Sequence, residues 1–271
     1  MSKPLVPRPA ATITLVRDCA DGIEVLMLQR NLKSGFVAGA YVFPGGGLDR
    51  EDDAAELHAL CTGVTEEAAS QRLSLERGGL AYWIASLREC FEECGLLLAY
   101  DASGAMMALD DEAVVQRFAG YRKAMHAGTE TFIGMCRKEN LRLAADRLTY
   151  FSHWITPEGA PRRYDTRFFL AAAPQRQSPL HDDHETIAHC WIRPQDALER
   201  CDRGEYSMRT PTRKTLEAFA PMRNSAELLR AMQSPRDIPT VRPVLDKDGV
   251  RLLPGDPGYE QALRDGGGKW T

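Results

Sequence analysis

The sequence predicts an α/β fold built on a mixed sheet. Three observations carry that expectation. Apolar runs of strand length are bounded by turn residues, helical stretches lie between them, and one hydrophobic run stops in the triple glycine Gly45-Gly46-Gly47. In chain order, residues 12–16 and 23–28 are apolar and flank Asp18-Cys19-Ala20-Asp21-Gly22, which reads as a β-hairpin. A third strand is expected at 40–43, entering a glycine loop. Residues 53–75 are helical in composition, with Gly78-Gly79 as the stop. Residues 81–94 form the next helix, with Ile84, Leu87 and Phe91 spaced as its buried stripe. A second helix-rich stretch covers 110–142, clearest at 112–126. Strands are expected at 150–155 and 166–171, joined by a polar loop with Pro157, Gly159 and Pro161, and again at 185–192. Helices follow at 194–201, with proline in its first turn, and at 211–219. Beyond Pro235, proline, glycine and charge dominate, and an irregular tail is expected.

Bulk properties narrow the function. At 271 residues the chain is long for one minimal α/β domain and short for two generous ones. A net charge of −4 and a pI near 5.9 argue against a protein built to bind nucleic acid nonspecifically. No apolar run approaches a membrane span, and the N-terminal Met1-Ser2-Lys3-Pro4 has no signal-peptide core. Seven scattered cysteines without C-x-x-C spacing read as reduced thiols of a cytoplasmic enzyme.

The chemistry concentrates in Arg88-Glu89-Cys90-Phe91-Glu92-Glu93-Cys94-Gly95-Leu96. On a helix, Glu89, Glu92 and Glu93 share one flank, where like charges repel. They also fall in the last turn before Gly95, where the helix dipole disfavours anions. Negative charge gathered at that end calls for neutralisation, and a hard divalent cation such as magnesium suits clustered carboxylates. The alternative is the solvated face of a surface helix.

Together with Phe43-Pro44-Gly45-Gly46 upstream, this segment resembles the Nudix hydrolase signature, G-x5-E-x7-R-E-U-x-E-E-x-G-U, with U a bulky apolar residue. Gly46 to Arg88 spans 42 positions, 28 more than the uninterrupted pattern, and Asp52 stands where its first glutamate belongs. The resemblance implies an α/β/α sandwich with mixed sheet over residues 9–221, with helical insertions at about 52–80 and 105–146. A C-terminal helix and tail would occupy 222–271. It implies hydrolysis of a diphosphate linkage in a small nucleoside-diphosphate-linked molecule, without nucleic acid or membrane as partner, and it leaves a homodimer open. Glu89, Glu92 and Glu93, with the backbone of Gly45, would hold Mg2+ or Mn2+, and Glu89 or Glu93 would orient or deprotonate the attacking water. Arg88 would orient the cluster through Glu92. A carboxylate from outside the box often contributes in this family, and Glu185 is the candidate, against a solvated charge at a strand entry. The second insertion would be a cap over the site or a structural buttress.

For the substrate, Leu26-Met27-Leu28-Gln29-Arg30 and Gly39 resemble, in spacing, the segment before the box in coenzyme A diphosphatases. Arg30 is thereby a candidate substrate contact. The interrupted box, with Trp154-Ile155-Thr156-Pro157 and Arg163 to Phe169, is similar to the mammalian peroxisomal branch acting on coenzyme A and its esters. Arg163 and Arg167, with Arg162, could bind a 3′-phosphate or diphosphate, against the alternative of a solvated hairpin. The rival substrates are ADP-ribose, NADH and dinucleotides; the rival class is a nucleotide-binding Nudix module without turnover.

Overall fold

Strand β1 (Arg8–Cys19) organises the molecule because its side chains alternate between two cores. Ala11, Ile13 and Leu15 enter one core, and Val16 enters the other. The computed structural model describes residues 5–31, 39–180, 186–234 and 237–265. β1 turns into β2 (Gly22–Arg30), with Val16 opposite Val25 and Cys19 opposite Gly22, which is the expected hairpin. A short β3 (Tyr41–Val42) pairs with β2. The glycine run is not a loop: Gly45–Gly47 is β4, antiparallel to the first half of β1, with Gly46 opposite Ala11.

The first insertion follows, also departing from expectation. Instead of one helix it contains α1 (Ala55–His58) and α2 (Glu66–Leu73). Between them the chain leaves helical geometry to bond elsewhere, Thr62 N–H donating to the Leu143 carbonyl at 2.9 Å and Leu143 N–H to Leu60 at 2.8 Å. Next come α3 (Leu80–Cys94), β5 (Ala99–Tyr100), α4 (Glu112–His126), α5 (Phe132–Lys138) and β6 (Arg142–Leu143), which pairs with β5. The segments expected as the two insertions are thus bonded to each other.

Strands β7 (Thr149–Ile155) and β8 (Tyr164–Ala172) are antiparallel, and β8 lies parallel to β1 along its length. β9 (Thr186–Ile192) adds to β2. Helices α6 (Pro194–Asp202), α7 (Thr210–Phe219) and α8 (Ser225–Gln233) follow. The segment after Pro235 is more ordered than its composition implies. β10 (Thr240–Val241) extends the main sheet beside β7, β11 (Val244–Leu245) pairs with β12 (Arg251–Leu252), and α9 (Tyr259–Arg264) covers them with Tyr259 and Ala262. Leu228 of α8 is fully buried with Phe219 and Leu216 of α7, so the packed unit continues past residue 221.

The main sheet is sandwiched. On one face Leu26, Leu28, Phe169 and Ala171 pack with Trp83, Ile84, Leu87 and Phe91 of α3. On the other, Val25, Met27, Phe168 and Leu170 meet α6, α7 and α8. Among the described residues no helix is long and apolar enough to cross a membrane. The start of α3 lies hard against α2, because a Cβ on Gly79 would stand 2.2 Å from the Ser70 backbone nitrogen. Gly79→Ala is therefore expected to cost about 1–3 kcal/mol through forced separation of α2 and α3, read as a lowered midpoint in urea.

Candidate active site

Helix α3 forms because its apolar residues recur with helical period and neither proline nor glycine interrupts them. Trp83 meets Phe169 edge-on at 4.6 Å, fixing the helix against the sheet. Gly95 ends it in the left-handed conformation, with its N–H donating to Phe91. With its apolar side buried, α3 turns Glu89 and Glu93 toward β4. Glu93 is buried, and its Oε2 accepts the Gly45 N–H at 2.9 Å. A Cβ on Gly46 would lie 2.5 Å from Oε1 of Glu89, so only glycine allows strand and carboxylate this approach.

Arg88 joins the two halves of the motif across the insertion. Its Nε and Nη2 donate to the two Asp52 oxygens, each at 2.9 Å, and Nη2 also donates to the Gly47 carbonyl at 3.0 Å. Nη1 donates to Glu89 at 2.9 Å and to Glu92 at 3.1 Å. Asp52 is fully buried and also accepts the Asp49 N–H. A shorter aspartate thus occupies the first-glutamate position by anchoring the arginine, whose fork suits bidentate pairing. Burial works against the Arg88 charge, but Asp52 and the two glutamates overcome it and hold the pKa above the ordinary value. Burial likewise pushes the Glu92 carboxyl up, against the pull of Arg88.

Helices α2 and α4 attach to the two ends of α3. At the N-terminus Glu66 of α2 accepts the N–H groups of Gly78, Gly79 and Leu80, and the Ser70 hydroxyl. An anion at that end is what the helix dipole favours. Burial works to raise the Glu66 pKa, but these donors outweigh it and hold it below 4.5. A depressed carboxylate stabilises the fold above its unfolded pKa and loses that contribution as pH falls through the folded value. Glu66→Gln should therefore flatten the loss of stability below about pH 4.5, seen in Tm measured against pH. At the C-terminus Arg122 of α4 donates from Nη2 to the Glu92 carbonyl at 2.8 Å. A cation there complements the dipole and faces the helix end that carries the glutamates.

The remaining candidates separate. Arg167 lies on the α3 face of β8, 5.2 Å over the Tyr82 ring, paired with Asp165. Its Nε has no hydrogen-bond partner among the described residues. Arg30 ends β2, which runs back toward the edge of the sheet holding β4. Arg163 is not presented to a ligand as expected. It is buried, donating to the Thr156 carbonyl at 3.0 Å and to Leu5 at 2.6 Å, because the hairpin needs its own carbonyls satisfied. Arg163→Ala should lower Tm while leaving substrate KM unchanged, measured on the same preparation. Glu185 lies outside the described residues. Sequence reasoning missed Glu66 and Arg122, since neither belongs to a motif. Asp53, His58 and Glu66 also gather their ligand atoms, but the backbone and hydroxyl donors at Glu66 leave it poorly suited to a cation.

Residues 65–216 match the family model described as the NUDT19 Nudix domain. The chain belongs to this family. Curated relatives include acyl-coenzyme A diphosphatase NUDT19 of Gallus gallus, 30% identical over 65% of this chain and 56% of its own length. The Homo sapiens protein of that name is 27% identical over 89% of this chain and 73% of its own. The Xenopus laevis protein is 28% identical over 65% and 54%. The chain spans about half the length of the frog and chicken relatives. A crystal structure of a NUDIX hydrolase from Alicyclobacillus acidocaldarius superposes with a TM-score of 0.66 at 26% identity, covering 85% of this chain and 99% of that one. The fold is thus the Nudix α/β sandwich, carrying its box helix as α3.

Proposed function

We propose that the protein is a divalent-metal-dependent pyrophosphohydrolase whose substrate is coenzyme A or an acyl-coenzyme A. The observation that carries the reaction class is the assembled site: Glu89 and Glu93 of α3 against the glycine strand, Glu92 beside them on Arg88, and Asp52 closing the interrupted motif through that arginine. The substrate rests on the relatives' names, acyl-coenzyme A diphosphatases.

The donor set fits a hard cation, because clustered carboxylates offer oxygens and the glycine strand leaves room for no side chain at Glu89. Glu89, Glu92 and Glu93, with the Gly45 backbone, would hold Mg2+ or Mn2+. Bound there, the ion would neutralise diphosphate charge and favour an ionised water. The chain's own groups do the rest. Arg88 holds Glu89 and Glu92 in place, and the Gly45 N–H holds Glu93. Glu89 or Glu93 takes the proton as water oxygen bonds to phosphorus and the bridging P–O bond breaks toward the leaving phosphate. Arg167 and Arg30 are the candidate anion contacts. All seven cysteines are free, which fits a reducing compartment, and we assign the cytoplasm.

The test compares kcat/KM across coenzyme A, acetyl-coenzyme A, ADP-ribose, NADH and diadenosine polyphosphates, with Mg2+ and then Mn2+. The coenzyme A members should lead by at least tenfold. Faster cleavage of ADP-ribose or NADH would keep the chemistry and replace the substrate. Binding without turnover of any member would make the chain a nucleotide-binding module.

A further inference from the structure

We propose that the cavity between α3 and α4 receives the uncharged arm of the substrate, the pantetheine chain running from the diphosphate to the thiol. The inference rests on the coenzyme A reading above and adds a site to it. The cavity has a volume of ≈ 540 Å³, within the range of small-molecule sites. It opens at the C-terminal end of α3, the end that carries the glutamates: Phe91 and the capping Gly95 line it. Arg122 also lines it and donates to the Glu92 carbonyl.

Its lining selects the ligand. Phe91, Leu109, Val115, Phe118, Ala119 and Leu180 present apolar surface. The two arginines at its wall are engaged by protein, Arg122 on Glu92 and Arg176 on both Asp110 oxygens at 2.6 and 3.0 Å. A phosphate would have to compete with those contacts, whereas an amide-linked neutral chain leaves them in place. The wall is also held in shape. The Gln177 amide donates to the Leu97 and Met107 carbonyls, its oxygen accepts the Leu97 N–H, and Leu180 N–H donates to Cys94. The second insertion supplies α4, so this wall exists only because the insertion does. One helix of the insertion thereby steadies the box helix and shapes a specificity pocket beside it.

The test fills the cavity from α4 with Ala119→Trp and, as a smaller change, Ala119→Leu, each checked for an unchanged Tm. Calorimetry on the full chain measures pantetheine and, separately, adenosine 3′,5′-bisphosphate. Pantetheine should bind the wild-type chain and weaken by about tenfold in the folded filled variant, with the bisphosphate unaffected. In turnover, KM for coenzyme A should rise about tenfold with kcat within about twofold. Coenzyme A hydrolysis that ignores both fillings would overturn the pocket and leave the hydrolase standing. No hydrolysis by wild type, with pantetheine bound in an Ala119-dependent way, would remove the hydrolase and keep the pocket. No pantetheine binding to the wild-type chain would overturn the pocket outright.

Discussion

Glu92→Gln and Glu93→Gln should each lower kcat by about 10²–10⁴-fold with little loss of stability. The geometry explains both halves of that expectation. Each glutamine keeps a carbonyl oxygen where the carboxylate now accepts, from Gly45 N–H at Glu93 and from Arg88 at Glu92. Each also removes one charge from a cluster whose members repel, and burial already opposes the Glu92 charge. Turnover by the proposed mechanism, by contrast, would need that charge to hold a cation or take a proton. The measurement is steady-state kinetics at saturating Mg2+ alongside thermal unfolding. Wild-type rates in both variants would remove the glutamates from the chemistry. A Tm fall of more than about 5 °C would show that they hold the fold instead.

Arg88→Ala is expected to produce the largest stability loss, about 3–5 kcal/mol, because it strands a buried charge. Asp52 has no exposed surface and takes two of the arginine's hydrogen bonds. The same change leaves Glu89 and Glu92 without their shared cation and frees the Gly47 carbonyl. Arg88→Lys should recover part of the loss only, since an ammonium cannot span both Asp52 oxygens as a guanidinium does. Equilibrium unfolding in urea reads the difference. An Arg88→Ala loss under about 1 kcal/mol would contradict the anchor, since surface ion pairs fall in that range.

The sheet was legible in the sequence because its central strands alternate between two buried faces, as in Leu15 against Val16 or Phe168 against Phe169. The box helix was legible because its apolar stripe, acidic flank and terminal glycine all agree. What escaped had a long-range cause. The glycine run forms a strand only because β1 lies beside it, and the helical composition of 53–75 yields to bonds with Leu143. Asp52 gave no local sign of its role, since its partner lies 36 residues away. Glu66 and Arg122 act on backbone groups of α3, a contact that leaves no signature in side-chain pattern. Arg163, read with Arg162 and Arg167 as a ligand candidate or a solvated hairpin, donates instead to the backbone carbonyls of Thr156 and Leu5.

The measurement that bears most directly on the central claim is product analysis by mass spectrometry after incubating the wild-type chain with coenzyme A and Mg2+ in ¹⁸O-labelled water. The expected products are adenosine 3′,5′-bisphosphate and 4′-phosphopantetheine, with a single labelled oxygen on one of the two phosphates and no such products from Glu93→Gln in the same time. Intact coenzyme A, or loss of only the 3′-phosphate, would contradict it.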